Sequence, residues 1–365
     1  MFFAVIPAGG TGTRLWPVSR ADRPKFLESL VDPDRSMLQS TVQRVSRLTD
    51  SAHTLIVTGA AHAVAVARQL PGISEQNILV EPSPRDSCAA IALAAAVIAR
   101  RDPDATMGSF AADHVIDDQK RFAEVVTDAI AGAEAGHLMT IGITPTHPET
   151  GYGYVQCGAR TGLGPVLTVE KFREKPPAEV AREYVDSGKF LWNASMFVWR
   201  VDRFLTALAR YRPDIHAPIM EIAAVWDEPV RGQILEELWA TIPRIAVEYA
   251  VMEPAAADHD VATVPGDFGW TDVGDFRALG GLVPPDVTGS MVVAASRPSA
   301  PQVVTDRSER LIVVPRGNRL ITAIGVHDLV VVDTPDALLI SDIDAVQDVK
   351  KIVATLSNSG YDAYV

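Results

Sequence analysis

Gly9, Gly10 and Gly12 stand just after a short apolar run, Phe2 to Ile6, and just before four cations, Arg14, Arg20, Arg23 and Lys25. Glycine lets backbone N–H groups approach an anion with no Cβ in the way. The cations, offset only by Asp22, supply the positive charge that a polyphosphate needs. The apolar run reads as a buried strand stopped by Pro7. Strand, glycine-rich loop and cations together predict a polyphosphate site, with a solvated surface loop as the plain alternative.

Two carboxylates have the setting of metal ligands. Asp113 follows an apolar strand in SFAADHVI, and a carboxylate at a strand's C-terminal end suits Mg2+. Asp272 lies in the tight, aromatic-braced turn Gly269-Trp-Thr-Asp-Val-Gly. The structural alternatives are a helix cap for Asp113 and an Asx turn for Asp272. Glu81 and Arg85 share the loop Glu81-Pro-Ser-Pro-Arg-Asp-Ser, where they could equally pair with each other.

Two common phosphate loops do not fit. A P-loop needs Gly-Lys-Ser/Thr where this chain has Gly12-Thr13-Arg14, and the dinucleotide fingerprint needs a glycine where it has Leu15. The whole string GGTGTRLWP, followed by SRADRPK, instead resembles the signature of the sugar-1-phosphate nucleotidyltransferases. Its Leu-Trp-Pro and Ser-Arg portions look most like the mannose-1-phosphate guanylyltransferase branch. Five ordered motifs carry the resemblance over roughly residues 2 to 280, and VVVDTPDALLI and QDVKK extend it into the tail.

The resemblance implies transfer of GMP from GTP to mannose 1-phosphate, giving GDP-mannose and pyrophosphate. It implies that Ala8, Gly9, Gly10, Gly12 and Thr13 cradle the triphosphate, that Arg14 and Lys25 hold it, and that Asp113 and Asp272 bind Mg2+. Glu81 and Arg85 would read guanine, whose N1–H and N2 amine suit a carboxylate and whose O6 and N7 suit an arginine. At Asp86-Ser87 the family more often has Asn-Thr. Glu149-Thr-Gly-Tyr-Gly-Tyr matches the sugar-side motif. There Gly153 would let backbone touch the hexose, Glu170, Asn193 and Glu248 would bind its hydroxyls, and Lys175 its phosphate. For a lone Lys or Asn, solvated surface is the plain reading. Alternatives at the level of function are another nucleotide–hexose pair, or a catalytically silent nucleotide-sugar-binding regulatory subunit.

The bulk numbers fit such an enzyme. The formal net charge of −13 argues against a nucleic-acid or acidic-membrane surface and makes the local cation excess more telling. Cys88 and Cys157 cannot build a disulfide framework and read as packing residues in a reducing compartment. The eight histidines are scattered, with no zinc-ligand spacing. The longest apolar run, Cys88 to Ala99, is too short to span a bilayer, and the first residues lack a basic n-region, so a cytoplasmic protein without membrane contact is expected.

The elements that must position these residues alternate. Thr54–Thr58, Asn77–Val80, Met107–Ala111 and Leu138–Ile143 read as strands; Met37–Leu48, Ala61–Leu70, Ser87–Arg101 and Asp117–Ala135 read as helices. This predicts an α/β, Rossmann-like domain with a mixed, mostly parallel sheet over residues 1–282, binding its ligands beyond the strands' carboxyl ends. After Gly151 antiparallel strands are expected over the cleft, then a strand at Leu191–Arg200 and a helical region at Val201–Trp239. Four short apolar strands between Leu311 and Ile340 and a closing helix, Asp344–Leu356, predict a small β-rich domain over 290–365. No internal repeat is visible. The family resemblance makes this domain β-helix-like and a contact of a homodimer.

Overall fold

The computed structural model describes residues 1–10, 12–293 and 302–365. Thr11 of the glycine-rich loop and residues 294–301 of the C-terminal domain lie outside the described residues. The chain forms two compact units, one of Met1–Gly9, Thr41–Ala112 and Ile116–Trp270, the other of Gly10–Ser40, Asp113–Val115 and Thr271–Val365.

The first unit is built on a nine-stranded sheet. Its strands are β1 (Phe2–Ala8), β2 (Thr54–Gly59), β3 (Ile78–Glu81), β4 (Thr106–Ser109), β6 (Leu138–Ile143), β7 (Gly153–Arg160), β8 (Leu167–Arg173), β9 (Phe190–Arg200) and β10 (Val261–Gly266). They lie in the order β3-β2-β1-β4-β9-β6-β10-β8-β7. β3, β2, β1 and β4 are parallel, as are β6 and β10, whereas β9 runs antiparallel to both its neighbours, β4 and β6. Ala8 is level with Thr58, and Gly59 with Glu81, so the carboxyl ends of β1, β2 and β3 open on one edge. The helix Asp86–Arg101 is buried along Cys88 to Ile98; its alanines keep it close to the sheet. The rings of Phe197, Trp199 and Phe204 stack through the same core, Trp199 on Phe204 at 4.4 Å between centroids.

Most element boundaries fall within a few residues of those expected. The region 201–239 is three helices, Val201–Tyr211, Pro213–Ala224 and Arg231–Trp239. The break at Arg212 has a local cause: a residue before proline is pushed out of the right-handed helical region, and Pro213 then starts a new helix, where its missing N–H costs nothing. Asp118 caps the helix Gln119–Glu134 by accepting from the N–H groups of Lys120 and Arg121.

A separate two-stranded ribbon is made by β5 (His114–Ile116) and β11 (Trp270–Asp272). The C-terminal strands are β12 (Met291–Val292), β13 (Val303–Asp306), β14 (Ile312–Pro315), β15 (Ile321–Ile324), β16 (Leu329–Asp333) and β17 (Leu338–Asp342). β12, β14 and β16 are parallel with β17 closing antiparallel, and β13 and β15 are parallel. Ile312 pairs with Val330, Val303 with Ile321 and Glu309 with His327, each eighteen residues apart, which is one turn of a β-coil. The repeat that the sequence hides is thus a backbone repeat: LIVVP and LVVVD stack, while the turns between them share no residues. Leu15, Trp16 and Met37 pack with Val273, Phe276, Leu279, Ile312, Val330 and Val349 in the second unit's core. Among the described residues no helix is long and apolar enough to cross a membrane.

Phe204 is fully buried against Trp199. Phe204→Ala is expected to cost about 3–5 kcal/mol of unfolding free energy, read as a lower urea midpoint at unchanged slope. A loss below about 1 kcal/mol would contradict the packing described.

Candidate functional site

Gly12 sits at φ 62°, and a Cβ there would lie 2.8 Å from the Cβ of Lys25, so only glycine lets the loop close over that lysine. Ser19 Oγ ties the loop by donating to the Gly12 carbonyl at 2.5 Å. Thr13–Leu15 and Lys25–Leu27 are tight helical turns on either side. Ala8 is the buried last residue of β1, whereas Gly9 and Gly10 are exposed, with open space over each.

Lys25 is 7% exposed and lies between two carboxylates. Its Nζ is 2.7 Å from Asp113 Oδ2 and 3.3 Å from Asp272 Oδ1, and it donates to the Val273 carbonyl at 2.9 Å. Burial works against the ammonium, yet Asp113 and Asp272 outweigh it and raise its pKa. Burial likewise works against the Asp113 carboxylate, and Lys25 outweighs it, holding that group below its usual range. The donor atoms of Asp113, His114 and Asp272 all lie within 4.8 Å of one another. Two carboxylates and an imidazole, already holding one cation, are a donor set that fits a divalent metal. His114 was missed in the sequence, where a scattered histidine count hid a residue adjacent to a candidate ligand. Arg14 is exposed, and its Nη1 donates to Gln347 Oε1 at 3.3 Å. Gln347 in turn donates to Asp275, three residues beyond Asp272. The QDVKK tail motif therefore supplies a partner for Arg14.

The sugar-side candidates form a cluster within the first unit. Gly153 opens β7 opposite Asn193 on β9. A Cβ on Gly153 would lie 2.4 Å from Glu174 Oε2, so the space kept by this glycine is filled by a carboxylate. Glu174 is buried, its backbone N–H donates to Glu253 at 2.8 Å, and its carboxylate lies 3.1 Å from Lys175 Nζ. Burial and then Glu248 push the Glu174 carboxyl up to about 7 against the pull of Lys175. Asn193 Oδ1 accepts from Thr140 Oγ1 at 2.7 Å and from the Ser195 N–H at 3.2 Å. Ser195 Oγ donates to Glu248 Oε1 at 3.0 Å. Burial raises the pKa of Glu248 as well. Glu170 is exposed on β8, where it accepts from Gln156 at 3.1 Å. Glu174 is the carboxylate beside Lys175 and Gly153, and the signal that could have found it was its place directly before Lys175-Pro.

Glu81 ends β3, is 8% exposed, and its Oε1 has no hydrogen-bond partner among the described residues. Burial alone pushes its carboxyl up to about 7. Arg85 donates to the Ala240 carbonyl at 3.0 Å, so it is anchored to backbone, not to Glu81. Asp86 has φ 66°, a left-handed conformation that Asp and Asn share, and the Ser87 hydroxyl accepts from the Val247 N–H at 2.9 Å. Asp-Ser thus meets the backbone demands that Asn-Thr would.

Known proteins resemble this chain over nearly its whole length. A family model described as nucleotidyl transferase matches residues 3–282, and one described as a mannose-phosphate isomerase/GMP-like beta-helix domain matches 302–356. A mannose-1-phosphate guanylyltransferase of Escherichia coli is 38% identical over 98% of this chain and 74% of its own length. The mannose-1-phosphate guanylyltransferase ManC of Salmonella typhimurium is 37% identical over 98% of this chain and 74% of its own. A Thermus thermophilus crystal structure described as a mannose-1-phosphate geranyltransferase superposes with a TM-score of 0.85 at 31% identity, covering 98% of this chain and 99% of the other.

Because the folded Glu81 carboxyl titrates near 7 and an unfolded one near 4.5, the unfolded state releases a proton that the folded state keeps. Its contribution to stability is present below pH 4.5 and is lost as pH rises through 7. Relative to the parent, Glu81→Gln is expected to gain about 2–3 kcal/mol between pH 4.5 and 8 in urea unfolding. A gap that does not change with pH would contradict the desolvated carboxyl.

Proposed function

The chain belongs to the nucleotidyl transferase family and, within it, to the mannose-1-phosphate guanylyltransferases, and on that footing we propose that it transfers GMP from GTP to α-D-mannose 1-phosphate. The products are GDP-mannose and pyrophosphate. The observation that carries this reading is the buried Lys25 held between Asp113 and Asp272 beneath Gly12.

The nucleophile is a phosphate oxygen of mannose 1-phosphate, already ionised at neutral pH, so the reaction asks the protein for alignment and charge neutralisation and not for a general base. Backbone N–H groups of Ala8, Gly9, Gly10, Gly12 and Thr13 receive the triphosphate, and Arg14 and Lys25 offset the charge on the departing pyrophosphate. Asp113 and Asp272, with His114 beside them, hold Mg2+, which when bound neutralises phosphate charge. Glu81 accepts from the guanine N1–H and N2 amine, and Arg85, whose Nη2 also donates to the Ala240 carbonyl, donates to O6 and N7. Lys175 binds the phosphate of the sugar. Asn193, Glu170 and Glu248 bind its hydroxyls, and Glu174, buried beside Lys175 and Gly153, joins them. Residues 1–282 carry this chemistry, and residues 290–365 form a small β-rich domain that meets a second copy in a cytoplasmic homodimer. Exposed Val304, Ile324 and Ile340 favour such a contact.

The direct test is pyrophosphate release with GTP, ATP and UTP against mannose and glucose 1-phosphates, with and without EDTA. GTP with mannose 1-phosphate should be fastest, and EDTA should abolish turnover; a preferred alternative pair would replace this reading. Asp113→Asn and Asp272→Asn are each expected to lower kcat at least about 100-fold with the fold intact by circular dichroism. Near-normal Mg2+-dependent turnover in either would remove that residue from the metal site. Lys175→Ala should raise KM for mannose 1-phosphate by about tenfold or more and leave KM for GTP nearly unchanged. Equal rises for both would defeat this division of labour.

A further inference from the structure

Ser195 lies within β9 at φ 51°, a left-handed conformation that strands do not use and that any residue with a Cβ resists. It sits in a bulge: Phe197 pairs with Thr140 and Asn193 with Gly142, so three residues of β9 face one of β6. Bulges of this kind favour glycine and re-aim side chains next to active sites. Here the position carries a hydroxyl, and the hydroxyl is used. Ser195 Oγ donates to Glu248 Oε1 at 3.0 Å and lies 3.5 Å from Asn193 Nδ2, while the Ser195 N–H holds Asn193 Oδ1 at 3.2 Å.

We propose that Ser195 is a positioning residue for the sugar phosphate, clamping the Asn193 amide and the Glu248 carboxylate into one rigid donor–acceptor pair. An amide and a carboxylate held side by side suit a vicinal pair of hydroxyls, one accepting and one donating, which is the face a hexose presents. Glu248 is held from a second direction as well. It opens a π-helical turn, Glu248–Met252, and the residue before it donates its N–H to Ser87. π-turns recur at functional sites because they set one side chain apart from the regular helix. Without the serine hydroxyl, nothing in this set joins Asn193 to Glu248. Lys175, at φ 44°, is strained in the same cluster, and strain of this kind gathers where geometry serves binding.

The inference rests on the sugar-side reading of Asn193 and Glu248, and the test separates the two. KM for mannose 1-phosphate and for GTP is measured for Ser195→Ala, Ser195→Gly and Asn193→Ala, together with thermal midpoints. Both serine variants should raise KM for mannose 1-phosphate about tenfold while KM for GTP stays within about twofold. Ser195→Gly, relieved of strain, should melt no lower than the parent, which a merely structural serine would not combine with a weaker sugar KM. Should Ser195→Ala fail to fold, Ser195→Gly carries the measurement. If Asn193→Ala raises the sugar KM and neither serine variant does, the clamp is refuted and the sugar site stands. If Asn193→Ala leaves that KM unchanged, both fall.

Discussion

A single ammonium group between two aspartates is the constraint that the glycine-rich loop and its flanking turns are built around. Asp113 and Asp272 come from distant parts of the chain, and two carboxylates so close repel each other unless a cation stands between them. Lys25 provides it from a buried position, which costs desolvation that only the double pairing recovers. Its Cβ then stands so close to Gly12 that a Cβ on residue 12 would have no room. The Ser19 bond and the two tight turns hold that approach. In a chain with net charge −13 and 33 Lys and Arg residues, four of these cations, Arg14, Arg20, Arg23 and Lys25, gather in one stretch of twelve residues.

The sugar-side cluster answers the opposite problem. Glu174 and Glu248 crowd Lys175, and burial leaves both of their carboxyls harder to ionise. Glu174 Oε2 is buried there with no hydrogen-bond partner among the described residues. Two left-handed residues, Lys175 and Ser195, show that the backbone here is shaped for side-chain direction at the expense of local preference.

Much of this was legible in the sequence because it rests on short local patterns. The glycine loop, the apolar runs and the aromatic-braced turn at Asp272 each declare themselves within about ten residues, and the alternation of elements follows from hydrophobic periodicity. What stayed hidden depends on which atoms meet across strands. Glu170 and Glu174 are both glutamates near Lys175, and only the register of β8 against β7 pairs the first with Gln156. The eighteen-residue coil is invisible because it is a repeat of backbone position whose side chains differ from turn to turn. His114 and Ser195 are ordinary residues until folding sets one beside the aspartates and the other in a bulge.

The place of β9 in the sheet bears on how the chain is made. It separates β4 from β6, strands completed well before it emerges in synthesis, and it pairs with both. Until residue 200 is available, two strand edges of the nascent sheet stay open side by side, able to recruit strands from other molecules. The β9 sequence, with buried Trp192, Phe197 and Trp199, is itself strongly apolar and seals both edges in one step. The far edge of β6 waits longer still, until β10, Val261–Gly266, follows, so the nascent sheet carries an open strand edge through most of elongation.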